Sequence, residues 1–206
     1  MKRLIVGVSG SSAPQLGLAV LRALREVPEM EIHLVISRGA ARSIAAEMGD
    51  AATGEFTALA DVTYQPDNLA AAIASGSFRT AGMVVVPCSM RTLAAVATGN
   101  TGDLLTRAAD VCLKERRRLV LVTRETPLNL IHIRNMETVT LAGGVIMPPV
   151  PAFYHRPETI EDLLRHTAGK VLDQFEIEHG LFRRWEGFPD SDGADDLAGR
   201  SGDASG

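Results

Sequence analysis

Leu4-Ile5-Val6-Gly7-Val8-Ser9-Gly10-Ser11-Ser12-Ala13-Pro14, followed by apolar residues at helical spacing over residues 16–24, is the stretch that decides the fold. A short unbroken apolar run, too brief for a helix, reads as a strand buried on both faces. The Gly/Ser cluster reads as a tight turn, and the spacing after it as a helix. A continuously apolar strand needs cover on both sides of its sheet, and strand–turn–helix order implies parallel crossovers.

The same unit recurs along the chain. Residues 31–36 (EIHLVI) read as a second strand, followed by Ser37 and a helix over about 40–48. Residues 49–75 are mixed: a loop, a short extended piece near Val62 and a short helix near 69–74. Residues 83–86 form a third buried strand closed by Pro87, and 92–97 and 104–114 are helical. A fourth strand covers 119–122, a helix 130–142 ends at Gly143-Gly144, a fifth strand covers 145–147, and 160–175 is a last amphipathic helix. The expectation is α/β: one Rossmann-like or flavodoxin-like doubly wound parallel sheet, a single domain over 1–188. Ligands of such sheets sit beyond the carboxyl ends of the strands. Residues 189–206 are rich in Gly, Asp and Ser with almost no large apolar groups, and are expected to form a flexible tail.

Composition narrows the function. The 206 residues, 46% hydrophobic and 22% charged, suit one domain with a real core. A formal net charge of −4 argues against nucleic acid as a partner, because a duplex-binding domain shows a basic face. Cys88 and Cys112 make no disulfide framework and read as reduced thiols. The apolar run after Lys2 and Arg3 is too short for a signal-peptide core or a membrane span, so the expectation is a soluble cytoplasmic protein with no membrane partner.

Four constellations carry the chemistry. Small residues in Ser9-Gly10-Ser11-Ser12 let the backbone approach a phosphate at a helix N-terminus, although the run is no dinucleotide fingerprint and also reads as a plain Ser-capped turn. Val86-Pro87-Cys88-Ser89-Met90-Arg91-Thr92 repeats the device, with Ser89 and Thr92 as donors. Two such turns on one sheet edge point to a shared anionic ligand more firmly than either alone. Arg107 and Lys114, seven apart, share one helix face, and Arg124 and Glu125 follow the fourth strand where a cleft forms. Arg116, Arg117 and Arg118 read as a solvated helix end. Finally, the prolines of Pro148-Pro149-Val150-Pro151-Ala152-Phe153-Tyr154-His155 either hold Tyr154 over a pocket or brace a structural loop. His132 reads as a helix-packed, hydrogen-bonded residue. Neither histidines nor cysteines show metal-ligand spacing, and there is no nucleophile elbow.

Gly10-Ser11-Ser12, Ile36-Ser37-Arg38, PCSMRTLAAVATG (87–99), LLTRAADVCLKERRRLVLVTRETPL (104–128), HIRNM (132–136) and PPVPAFYHRPETI (148–160) together resemble the flavin prenyltransferases of the UbiX type. The likeness is strongest to the bacterial branch associated with phenolic-acid decarboxylases and runs from about residue 3 to 187. It implies a homododecameric flavoprotein with sites at subunit interfaces. It implies that a dimethylallyl group passes from dimethylallyl phosphate to N5 and then C6 of reduced FMN. The product, prenylated FMN, goes to a UbiD-type decarboxylase, and no metal takes part.

By position in the family's motifs, the resemblance assigns FMN to Gly10, Ser11, Ser12, Ser37, Ser89, Met90, Arg91, Thr92 and Arg124. It assigns dimethylallyl phosphate to Arg107, Lys114, Tyr154, Lys170 and Trp185, and proton transfers to Ser12, Glu47 and Glu125. Two positions depart from the pattern: Ala13 stands where the family usually has Gly, and Lys170 where relatives often have Arg, which loses the bidentate fork. Flavoprotein cysteine decarboxylases share the fold but carry a Pro-Ala-Ser-Ala-Asn-Thr turn, whose Asn is missing here. A non-catalytic FMN-binding accessory subunit of an aromatic-acid decarboxylase is the alternative reading. A hydride-transferring reductase would need a nicotinamide site that the sequence does not display.

Overall fold

The computed structural model describes residues 2–187. Its six strands are β1 (Lys2–Val8), β2 (Met30–Ile36), β3 (Val62–Tyr64), β4 (Gly82–Cys88), β5 (Arg118–Thr123) and β6 (Val145–Ile146). They form one sheet in the order β3-β2-β1-β4-β5-β6, and every pair is parallel. Without the three-residue β3 the order is that of flavodoxin, and with it that of the dinucleotide-binding fold, so both expected descriptions hold. Seven helices cover the sheet: α1 (Gln15–Arg25), α2 (Arg38–Met48), α3 (Ala52–Ala58), α4 (Met90–Ala97), α5 (Leu104–Lys114), α6 (Leu130–Leu141) and α7 (Ile160–Gln174).

The continuous apolar strands feed two cores. Leu4, Val6 and Val8 of β1 point to one side and pack with Leu21, Leu24, Ile44, Phe56, Val171 and Leu172 from α1, α2, α3 and α7. Ile5 points to the other, with Leu93, Leu104, Leu105 and Val139 from α4, α5 and α6. Side chains alternate across a strand, so a strand apolar at every position serves two cores. Both cysteines are buried free thiols, as expected. Burial pushes both thiols up, Cys112 to about 12, so neither is a nucleophile near neutral pH.

Three local expectations need correction. Residues 52–58 are helical, not loop: Ala52 and the fully buried Phe56 anchor α3, a pair too sparse to register as periodicity. The piece expected as a helix near 69–74 is a 3-10 turn at Ala72–Ala74. Pro87 does not close β4. Pairing is irregular between Val85 and Cys88, where proline has no N–H to give, and resumes with Cys88 opposite Thr123. Residues 189–206, expected as a tail, lie outside the described residues, and no described helix is long and apolar enough to cross a membrane.

α1 lies tight on the sheet at Gly17. A Cβ there would come within 2.7 Å of the Val86 carbonyl oxygen, a backbone atom that cannot turn aside. Gly17→Ala is therefore expected to destabilise the protein by about 1–3 kcal/mol through overpacking. The check is a lower urea midpoint at unchanged slope.

Candidate functional site

The sheet's order reverses between β1 and β4, and there the strand-end turns are bound to one another. Ser9, only 1% exposed, donates from its backbone N–H and from Oγ to the Pro87 carbonyl, at 3.2 and 3.1 Å. Ser9 Oγ also accepts from the Ser89 N–H at 2.8 Å. Ser11 Oγ donates to the Arg124 carbonyl at 3.1 Å, and the Arg124 N–H donates to the Cys88 carbonyl at 3.1 Å. The Ser37 N–H donates to the Val8 carbonyl at 2.9 Å. The ends of β2, β1, β4 and β5 are thus tied into one frame. The serines of the first turn do not cap α1; they reach across to the neighbouring turns, and Pro14 holds the N-cap position.

The frame surrounds a cleft of about 710 Å3 lined by Gly10, Ser37, Arg38, Ser89, Arg91 and Thr92, with Asp67 and Asp103 opposite. That size suits a small-molecule site. A Cβ on Gly10 would sit 2.9 Å from the carbonyl carbon of Gly39, so only glycine lets the first turn meet the start of α2 backbone to backbone. The N-caps of α2, α4 and α5 (Ser37, Ser89 and Asp103) all line the cleft. None of these helices has an acidic residue in its first turn, whereas α7, which starts elsewhere, has Glu161 and Asp162. The Asp103 carboxylate offsets the end of α5, which it caps, so the positive ends of α2 and α4 are the ones left largely uncompensated at the cleft, a setting that favours an anionic group.

Five of the residues assigned to FMN line this cleft: Gly10, Ser37, Ser89, Arg91 and Thr92. Ser89 also caps its own helix, accepting from the Thr92 N–H at 3.3 Å and donating to Thr92 Oγ1 at 3.2 Å. Ser11 and Arg124 adjoin through their shared hydrogen bond, and Ser12 is exposed beside them. Met90 departs from expectation: it packs into the second core. Glu47 braces the first turn by accepting from the Ala13 N–H at 3.0 Å. Glu125 lies exposed after β5 and accepts from the Thr126 N–H at 3.1 Å.

A second group gathers where the segment after β6 meets α7 and the chain beyond it. Tyr154, His155, Arg156, Arg183, Arg184 and Trp185 line a cavity of about 580 Å3. Tyr154 and Trp185 meet edge to face at 6.0 Å between centroids. Lys170, on α7, pairs with Asp173 at 3.4 Å, and Arg184 binds the same carboxylate at 2.7 Å. Burial would raise Asp173, but the Arg184 and Lys170 partners outweigh it and hold its carboxyl below the usual range. Tyr154 and Trp185 thus line one cavity, and Lys170 adjoins it through Asp173 and Arg184. His166 and His155, which sequence reasoning did not single out, lie at its base.

Arg107 and Lys114 are not brought there within one chain. Arg107 is engaged by the Ala74 carbonyl and Asp110, and Lys114 ends α5 beside Gly76, paired with Glu115. α5 begins at the cleft and runs away from it, so Lys114 lies toward the opposite sheet edge, near the start of β5. His132 serves the capping box of α6 with Asn129, in keeping with a hydrogen-bonded helix residue. No group of potential metal ligands occurs among the described residues.

Comparison with known proteins bears on both regions. Residues 1–172 match the family model described as Flavoprotein. The chain is 52% identical over 189 residues to the flavin prenyltransferase UbiX of Escherichia coli, covering 91% of this chain and 100% of that one. Its fold matches the crystal structure of AnUbiX in complex with FMN and dimethylallyl pyrophosphate with a TM-score of 0.87 at 50% identity, over 91% of this chain and 99% of that one. It also matches a dodecameric FMN-dependent UbiX-like decarboxylase from Escherichia coli with a TM-score of 0.87 at 50% identity, over 90% of this chain and 100% of that one.

The turn itself offers a test. Ala13 has φ of 68°, the left-handed region, which costs an L-residue about 1–2 kcal/mol. Glycine adopts this region without strain. Ala13→Gly is expected to stabilise the fold by about 0.5–1 kcal/mol, after the greater backbone freedom of unfolded Gly is subtracted. Thermal unfolding should show a raised midpoint.

Proposed function

The chain belongs to the Flavoprotein family and, within it, to the flavin prenyltransferases of the UbiX type, and from that membership we propose that it transfers a dimethylallyl group from dimethylallyl phosphate to reduced FMN. The observation that carries the reading is the cleft at the β1/β4 reversal, where most of the residues assigned to FMN gather around the positive ends of α2 and α4. The fit to a flavin phosphate rests on the Gly10–Gly39 approach, which leaves backbone without side chains on the cleft wall. Gly10, Ser37, Ser89, Arg91 and Thr92 would hold FMN, with Ser11, Ser12 and Arg124 at its edge.

Reduced FMN, as substrate, supplies the nucleophilic positions N5 and C6. The chain's residues meet the other demands. Departure of an allylic phosphate leaves a carbocation and an anion. Lys170, paired with Asp173, would neutralise the anion. The faces of Tyr154 and Trp185 suit the cation, and the Tyr154 hydroxyl suits the phosphate. Glu125 would take the proton that C6 loses as the fourth ring closes. Ser12 would assist proton transfer, and Glu47 would hold the turn that presents it.

Arg107 and Lys114 fit this scheme only when a neighbouring subunit supplies them. Support for self-association comes from Leu128, Leu130, Ile131, Ile133, Leu141, Val150, Phe153 and Ile160, large apolar side chains left exposed on α6 and the segments near it. A homododecamer, as in the dodecameric relative, would cover them and complete the site. The product, prenylated FMN, would serve a UbiD-type decarboxylase in the cytoplasm.

The test is anaerobic incubation with reduced FMN and dimethylallyl phosphate, then with the pyrophosphate, followed by the mass of the extracted flavin. A gain of C5H8 is expected; unmodified FMN with both donors would reduce the protein to an FMN-binding accessory subunit. Glu125→Gln is expected to slow product formation about 100-fold or more, within the range for a lost acid–base group, while FMN still binds. Single-turnover kinetics check this, and an unchanged rate would remove Glu125 from the proton path.

A further inference from the structure

His166, only 6% exposed, sits on α7 against Tyr154 of the aromatic cavity. Its Nε2 lies 3.2 Å from the Tyr154 hydroxyl. Its ring is stacked on that of His155, with centroids 4.8 Å apart and planes 6° from parallel. Phe182 closes its remaining side at 4.6 Å. Both ring nitrogens of His155 are shielded from solvent and have no hydrogen-bond partner. Tyr154, itself 44% exposed, therefore owes its position to His166 below and Trp185 beside it.

We propose that His166 is a positioning residue for prenyl transfer: its Nε2 hydrogen-bonds the Tyr154 hydroxyl and fixes the phenol where the dimethylallyl donor binds. This rests on the assignment of Tyr154 to the donor site. An imidazolium has no lone pair at Nε2, so when His166 is charged its N–H donates to the Tyr154 oxygen and the direction of the bond reverses.

The groups facing His166 set the direction. The segment after β6 contributes Tyr154 and His155. α7 contributes Lys170 and Asp173. The chain beyond α7 contributes Arg184, which is bound to Asp173, and His179, which also reaches Asp173 at 3.2 Å. Burial first, then His155 and Lys170, lowers the pKa of His166, against a smaller opposing pull from Asp173. His166 is therefore neutral at neutral pH. Nε2 is free to accept from the Tyr154 hydroxyl above the ordinary histidine range, and as pH falls through the lowered value its N–H donates to the Tyr154 oxygen instead. An unfolded chain protonates this histidine earlier, so fold stability falls over the same descent.

Trp185, the single tryptophan of the chain, reports on the contact without turnover. In the full-length protein without ligand, its emission is titrated from about pH 8 down to about pH 5, a span covering histidine ionisation. Wild type is expected to show a transition, and His166→Gln, which retains an acceptor but cannot titrate, to show none. In the prenylation assay, KM for dimethylallyl phosphate in His166→Gln should stay within about twofold of wild type at about pH 8, because the amide still hydrogen-bonds the Tyr154 hydroxyl. His166→Leu, confirmed as folded by circular dichroism, should raise KM about tenfold at every pH, and adding Tyr154→Phe should cost nothing more.

A Trp185 transition that survives unchanged in His166→Gln overturns the proposal whatever the assay shows. A loss in His166→Leu that adds in full to that of Tyr154→Phe overturns it as well. If wild type makes no product, the donor-site reading fails, and the fluorescence titration still decides whether His166 holds Tyr154.

Discussion

One buried hydroxyl, that of Ser9, holds the functional end of this protein together. A parallel sheet leaves its strand-end turns chemically independent, since each belongs to a separate crossover. Ser9 removes that independence at the place where the strand order reverses. Its oxygen donates to Pro87 and accepts from Ser89, so the turn after β1 and the turn after β4 become one structure. Ser11 extends the frame to Arg124. A neutral hydrogen bond adds only about 0.5–1.5 kcal/mol, but a buried donor or acceptor left unpaired costs about 1–3 kcal/mol. The frame is therefore hard to loosen one bond at a time, and the cleft walls keep their spacing before a ligand arrives.

The two regions of the candidate site are built on different physics. The cleft is made of backbone and small side chains: Gly10 against Gly39, serine caps, and helix ends without acidic neighbours. Such a surface recognises a phosphate or a polar ring edge by N–H groups that need no reorganisation. The Tyr154 region is made of long charged side chains and aromatic rings balanced around Asp173. It suits a step in which charge separates. A strand-end frame and a helix-borne cluster thus sit on one α/β domain, each built on its own physics.

Much of this was legible in the sequence, because the signals were local. Unbroken apolar strands, each emptying into a Gly/Ser or polar turn, announced both the doubly wound sheet and the edge on which the cleft lies. The motif resemblance supplied the ligand. Non-local matters stayed hidden. Ser9 reads as one more serine in a turn until Pro87 and Ser89, far along the chain, are seen beside it. Met90 shares the motif of Ser89 and Thr92 but lies on the core side of the helix, a fact that helix phase alone decides. Arg107 and Lys114 share a helix face, but their helix runs away from the cleft, so no spacing along it could bring Lys114 back within one chain. Ala13 is the instructive exception: the resemblance implied a Gly there, and the positive φ of Ala13 shows why the turn would favour one.

The most direct test of this account is FMN affinity, measured by quenching of flavin fluorescence, in wild type and in Ser9→Ala. If the bonded turns form the flavin site, Ser9→Ala should weaken FMN binding by about tenfold or more, the scale of one buried polar group left unpaired, while circular dichroism shows the fold retained. Equal affinity in the two proteins would contradict the account and move the flavin away from the β1/β4 reversal.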